Sequence, residues 1–152
     1  MKTITIKQPW AQFIAEGIKD IENRTWKTNF RGRVLIHASA DERLMNIPPN
    51  SFLTEKQLDA VFDKRILFHK RNSSLYSAII GSIEIVDCVI NHPSIWAEKT
   101  EGVTDINTKE FIPYLKPKPI YNWVLANPVF FTKPIENIKG KLSFWDYPNI
   151  NI

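Results

Sequence analysis

An α+β fold is the class this sequence predicts: one small, strongly curved β-sheet with short helices at its margins. Three observations carry it. β-Rich runs recur along the chain between turn signals. Only two or three segments show helical spacing, and all are short. The longest β-branched run, Ser77 to Ile90, contains Gly81, the kind of residue a curling sheet needs at a bend or bulge. Strand–helix units of regular length, the mark of a doubly wound parallel sheet, are absent. The 152 residues, 43% of them hydrophobic, suit a single domain over residues 1–152 and exclude wholesale disorder.

The elements follow in order. Thr3 to Lys7 alternates with period two and reads as a strand. Pro9 suits the first turn of a helix in which Trp10, Phe13, Ile14 and Gly17 recur at three- and four-residue steps, with Gly17 as its stop. Asp20 to Trp26 is extended, and Arg33 to His37 is a second β-run after the Arg31-Gly32 turn signal. From about Ala38 to Leu75 the pattern turns helical, broken at Pro48-Pro49-Asn50-Ser51. Within it Thr54-Glu55-Lys56-Gln57 caps a helix carrying Leu58, Val61 and Phe62, and residues 70–74 form a polar loop. After the long Ser77–Ile90 strand, residues 92–119 are interrupted by prolines, and residues 92–112 within them are net acidic. Tyr121 to Phe131 is strand-like and broken at Pro128, and Lys141 to Trp145 closes the chain.

Composition narrows the chemistry. The net charge of +4 permits an anionic partner without demanding one. Cys88 is the single cysteine, so no internal disulfide, zinc knuckle or CxxC redox centre forms, and its apolar neighbours suit an inert buried thiol. No signal region and no membrane-length apolar stretch is present, which makes a reducing cytoplasm the simplest home. His37, His69 and His92 form no metal-ligand pattern, and no motif asks for a cofactor. His37 suits a structural, backbone-bonded histidine. Trp96, Trp123 and Trp145 lie in apolar contexts and read as core.

The densest cluster of functional side chains lies in Gly17-Ile18-Lys19-Asp20-Ile21-Glu22-Asn23-Arg24-Thr25-Trp26. On a strand, Glu22, Arg24 and Trp26 share a face, and Lys19 sits at the turn leading into it. Such a group binds a phosphate or carboxylate through Arg24, orients a base edge through Glu22 and stacks a planar ring on Trp26. The same spacing suits a solvated strand with a structural Glu22–Arg24 pair. Residues 1–33 carry seven basic and three acidic side chains, equal to the whole chain's surplus, which suits either a phosphate-facing surface or an ordinary basic one.

Gly17, Lys19, Glu22 and Arg24 resemble the Gly-x-Lys-x-x-Glu-x-Arg signature of the ASCH domain (activating signal cointegrator homology), a relative of the PUA-like β-barrels. The resemblance extends to Lys7-Gln8-Pro9-Trp10-Ala11, Phe30-Arg31-Gly32-Arg33 with His37-Ala38, the Gly81 strand, Tyr121-Asn122-Trp123-Val124-Leu125 and Lys139 to Trp145. It implies a PUA-like barrel with short peripheral helices and a cleft lined by the signature, where RNA or a nucleotide-like ligand binds. By position, Lys7, Gln8, Trp10, Lys19, Glu22, Arg24 and Trp26 become cleft candidates, with Arg31 and Arg33 extending the basic surface.

Some small members of this superfamily resemble amidohydrolases of acetylated cytidine that pair a Lys with a Thr nucleophile. That Thr falls at Glu22 here, and Thr25 alternates to the opposite face. An enzyme built on this chain, a nucleoside amidohydrolase or a nuclease, uses Lys19 and Glu22 as an acid–base pair, with Glu98 or Glu101 as a further carboxylate. A small deep pocket around Lys19 and Glu22 favours the enzyme. A shallow groove continuous with Arg31 and Arg33 favours RNA binding, and an adaptor cleft for an acidic peptide is the third alternative. No membrane or metal partner is expected, and no feature sets an oligomeric state.

Overall fold

The computed structural model describes residues 1–63 and 73–151. In chain order they form β1 (Lys2–Ile6), α1 (Trp10–Ala15), β2 (Ile21–Arg24), β3 (Gly32–Ala38), α2 (Glu55–Asp63), β4 (Ala78–Val89), β5 (Gly102–Thr104), β6 (Phe111–Pro113), β7 (Tyr121–Ile135) and β8 (Phe144–Asp146). Six strands make one curled, half-barrel sheet in the order β2-β7-β4-β3-β1-β8. β1 runs parallel to β3, and the other pairs are antiparallel. The fold is α+β and mostly sheet, as the sequence predicts. β5 and β6 form a separate hairpin inside the proline-rich stretch, where three-residue, exposed strands leave no alternation to read.

The curl originates in β4 and β7. Gly81 lies so close to β7 that a Cβ there would sit 2.2 Å from the Val129 carbonyl oxygen and 3.2 Å from Ala15 Cβ. Register shifts flank it, between Ile79 and Gly81 against β7 and between Ile36 and His37 where β3 meets β4. The strand read as broken at Pro128 instead continues to Ile135. Pro128 is accommodated at an irregularity, where Ser82 pairs with Val129 and Glu84 with Ala126, beside Asn127 at φ +52°. A bulge dispenses with the ladder N–H that proline lacks.

The two edge strands approach without pairing. β2 ends at Arg24, so Trp26 does not share the face of Glu22 and Arg24 as strict alternation predicts. Trp26 turns inward and packs edge-on against Trp123 of β7 (4.6 Å between ring centroids) and Phe144 of β8 (5.6 Å). The Trp123 indole N–H donates to the Trp26 carbonyl. Arg24 Nη2 crosses the same gap to the Thr5 carbonyl of β1 at 2.9 Å. Inside the curl, Ile4, Ile6, Val34, Ile36, Ile80, Ile85 and Trp123 form the main core against Ala11, Ile14 and Ala15 of α1. A second cluster, Phe13, Ile21, Leu53, Val61 and Trp96, fills the space between α1, β2 and α2.

The middle section is less helical than its spacing predicts: before α2 it contains only 3₁₀ turns at Arg43–Asn46 and Pro49–Ser51. α2 carries the predicted capping box. Gln57 N–H donates to Thr54 Oγ1 (3.2 Å), and Thr54 N–H donates to Gln57 Oε1 (3.0 Å). Val61 is buried, whereas Phe62, placed on the same apolar face by spacing, is exposed. His69 and most of the 70–74 loop lie outside the described residues. The closing strand is only Phe144–Asp146, and Cys88 is buried in the main core.

Because the Gly81 backbone contact leaves no room for a side chain, Gly81→Ala is expected to cost about 1–3 kcal/mol in chemical denaturation. An unchanged midpoint and slope would show that β4 and β7 do not approach as described.

Candidate functional site

Lys19 is positioned by the way α1 stops. Gly17, at φ +80°, donates its N–H to Ile14 O, and Ile18 donates to Phe13 O, the two bonds of a Schellman turn. Lys19 N–H donates to the same Phe13 carbonyl. A side chain at position 17 would be strained at this φ and would stand 3.0 Å from Pro128 Cγ. The turn sends Lys19 inward: the residue is 5% exposed, its Nζ donates to the Ile21 carbonyl, and it lies 5.7 Å from the Trp10 ring centroid.

Lys19 stands in a cleft of about 350 Å³. β2 contributes Glu22 and Asn23, α1 contributes Trp10, the approach to α2 contributes Phe52 and Thr54, the first turn of α2 contributes Gln57, and the loop after β4 contributes Trp96 and Glu98. Trp10 meets Phe52 and Trp96 edge-on at 5.7 and 6.4 Å, so three aromatic rings surround the polar floor. The loop is held by amides. Asn23 Nδ2 donates to Trp96 O (3.0 Å), and Asn23 Oδ1 accepts from Glu98 N–H and from Asn122 Nδ2. Asn122 also donates to Glu98 O and accepts from His92 N–H, and Gln57 donates to Ile95 O from the far side.

The cleft is not an anion hole. Burial pushes the Lys19 pKa below its ordinary value; Glu22, Glu98 and Asp20 oppose the shift, and Arg24 adds slightly to it. Arg24 Nη2 is already engaged by Glu22 Oε2 at 3.2 Å and by the Thr5 carbonyl. Within the aromatic walls, one buried ammonium therefore faces the two carboxylates of Glu22 and Glu98. Such a site suits a planar, neutral, hydrogen-bonding ligand better than a phosphate.

Of the residues singled out from sequence, Trp10, Lys19 and Glu22 line the cleft, and Arg24 braces Glu22 from behind. The others lie elsewhere. Gln8 is buried, donates to Leu75 O and accepts Gln12 N–H at the start of α1. Lys7 pairs with Asp41 at 3.6 Å. Trp26 belongs to the barrel seam. Arg31 pairs with Asp87 and donates to the Thr28 and Phe30 carbonyls, while Arg33 bonds Ser82, Glu84 and the Asn127 carbonyl. Neither arginine lines the cleft. Glu98 lines it and Glu101 does not. Phe52, Gln57 and Asn23 escaped sequence reasoning, and Trp96, read as core, is both core and cleft wall. The capping box was the one available signal, since it placed Gln57 at the start of a helix.

The description "ASCH domain" attaches to a family profile that matches residues 4–135. The chain belongs to the ASCH domain family. In this ASCH domain the signature residues Gly17, Lys19, Glu22 and Arg24 are those that build the helix stop, the cleft floor and its brace. The chain is 31% identical over 90 residues to activating signal cointegrator 1 of Homo sapiens, and 30% identical over 90 residues to that of Mus musculus. Each alignment covers 57% of this chain and 14% of the relative, so the chain corresponds to a small part of those proteins. Among the described residues, no helix is long and apolar enough to cross a membrane, and no cluster of three or more His, Cys, Asp or Glu side chains is gathered for a metal ion.

A buried ammonium whose pKa is lowered costs the fold stability at neutral pH. The unfolded chain holds that proton up to its ordinary value of 10.5, so stability rises with pH between the folded-state value and 10.5. Lys19→Met is therefore expected to be at least as stable as wild type at pH 7 and to lack the alkaline rise, as thermal melts across pH would report. A loss beyond about 2 kcal/mol would make Lys19 a structural residue instead.

Proposed function

We propose that the domain binds RNA by taking one unpaired nucleobase into the Trp10–Lys19–Glu22–Trp96 cleft. The observation that carries this reading is the combination of three aromatic walls with two carboxylates and a buried ammonium in about 350 Å³, room for a single base. The rings supply a stacking surface, worth about 1–3 kcal/mol per base. Glu22 and Glu98 accept from an exocyclic amine or ring N–H, and Lys19 donates to a ring nitrogen or carbonyl. The phosphates remain outside, where cations unconnected to the cleft meet them. Membership of the ASCH domain family, whose signature implies RNA or a nucleotide-like ligand, supports this reading.

The test is fluorescence anisotropy with short single-stranded RNA across a salt series. Wild type binds. Lys19→Met weakens binding by about tenfold or more with little change in the salt slope, because the lost contact is to a base and not to a phosphate. Equal binding by both proteins would remove the cleft from the interface.

A second reading, hydrolysis of a modified nucleoside, is favoured by Lys19 itself. Its lowered pKa brings it nearer to a working base at neutral pH, in a small pocket rather than in a groove continuous with Arg31 and Arg33. With Glu22 in place of a hydroxyl nucleophile, water adds to the amide carbonyl. The proton passes through the Lys19–Glu22 pair to the departing amine as the C–N bond breaks. Acetate release from acetylated cytidine, lost in Lys19→Met, is the sign of this activity. Binding without release leaves recognition as the function.

A further inference from the structure

The hydrogen bonds that build the cleft leave a defined set of polar groups available to a ligand. Asn23 and Gln57 are committed to the walls. Asn23 bonds the Trp96 carbonyl, the Glu98 N–H and Asn122, and Gln57 bonds the Ile95 carbonyl and the Thr54 N–H. Thr54 Oγ1 takes the Gln57 N–H and stands exposed at the rim. Lys19 gives one N–H to the Ile21 carbonyl and has others to offer. Glu22 accepts one bond at each oxygen, from Asn23 N–H at 3.0 Å and from Arg24 Nη2 at 3.2 Å, so each oxygen keeps a lone pair.

Glu98 is anchored at both backbone groups and free at its side chain. Its N–H donates to Asn23 Oδ1 at 3.1 Å, and its carbonyl accepts Asn122 Nδ2 at 3.0 Å. Among the described residues, no hydrogen bond or ion pair is made by its carboxylate. Lys19 and Glu22 are buried and Glu98 is exposed, so the three charges run from the floor of the cleft to its mouth. Glu22 also favours the charged form of Lys19 more than Glu98 does, as expected of the nearer carboxylate.

A base that satisfies this row presents one acceptor followed by two donors. Guanine does so along its Watson–Crick edge, with the O6 carbonyl, the ring N1–H and the 2-amino group. Adenine and cytosine each carry one amine beside a ring nitrogen that only accepts, so a second carboxylate would face a lone pair. Uracil has a single N–H between two carbonyls. The aromatic walls accept the face of any base, which leaves discrimination to the polar row.

We propose that the cleft selects guanine and that Glu98 is the residue that reads its 2-amino group, with Lys19 donating to O6 and Glu22 accepting from N1–H. The inference rests on the base-binding reading of the cleft and adds its specificity. A wrong base leaves a charged group desolvated and unpaired, a larger effect than the loss of one contact.

The experiment is fluorescence anisotropy with an oligouridine strand whose central base is guanine, hypoxanthine, adenine, cytosine or uracil. Hypoxanthine, the base of inosine, is guanine without the 2-amino group. Wild type is expected to bind the guanine strand about tenfold more tightly than the inosine strand, the effect of one hydrogen bond to a charged group, and at least as far above the other three. Glu98→Ala removes the preference for guanine over inosine, and the anchors of the loop survive because both run through main-chain atoms. Equal affinity for guanine and inosine, or preference for another base, with binding still weakened by Lys19→Met, overturns guanine selection and leaves the cleft standing as a base site. A guanine-over-inosine preference unchanged in Glu98→Ala overturns the assignment to Glu98. Binding indifferent to Lys19→Met, or absent from every strand at low salt, overturns this inference and the reading beneath it.

Discussion

The structure depends on a closure made without hydrogen-bonded strands. β2 and β8 are the free edges of one sheet, and a curled sheet with open edges would expose its core and its unpaired backbone. Side chains close the gap: Trp123 of β7 stacks on Phe144 of β8, Trp26 meets both rings edge-on, and Arg24 reaches across to the Thr5 carbonyl. The arginine has a second duty, because the same nitrogen holds the Glu22 carboxylate in the cleft. The geometry of the site is therefore set by the element that closes the barrel.

The cleft is assembled around that brace by short-range and long-range devices together. Locally, the Gly17 turn delivers Lys19 beneath Trp10. At long range, Asn23 and Asn122, 99 residues apart in sequence, fasten the loop that carries Trp96 and Glu98. A buried lysine that stays below its ordinary pKa works against folding, which is the expected mark of a group kept for function. His37 Nδ1, unpartnered in the protein, is a smaller instance of the same tension.

What could be read from the chain follows the range of the interactions. Gly17 ending a helix, Gly81 in a curled strand and the Thr54–Gln57 box are local features, and each signal survives in a few residues of sequence. The meeting of Glu22 and Arg24 follows from strand alternation. Trp26 departs from that rule because β2 stops two residues before it. Arg31, Arg33 and Lys7 looked like one basic surface, yet each finds an acid far along the chain, at Asp87, Glu84 and Asp41. Spacing holds no information about such partners, nor about Trp96 and Glu98, which are held at the cleft by long-range bonds from Asn23, Asn122 and Gln57.

The central claim is that a base enters the cleft walled by Trp10, Phe52 and Trp96. Its most direct test is a nitrogen–proton correlation spectrum of the five indole N–H groups during titration with short single-stranded RNA. The account predicts that the Trp10 and Trp96 resonances move with the binding curve, while those of Trp26 and Trp123, which pack in the barrel seam away from the cleft, stay still. Binding that leaves Trp10 and Trp96 unmoved would contradict it.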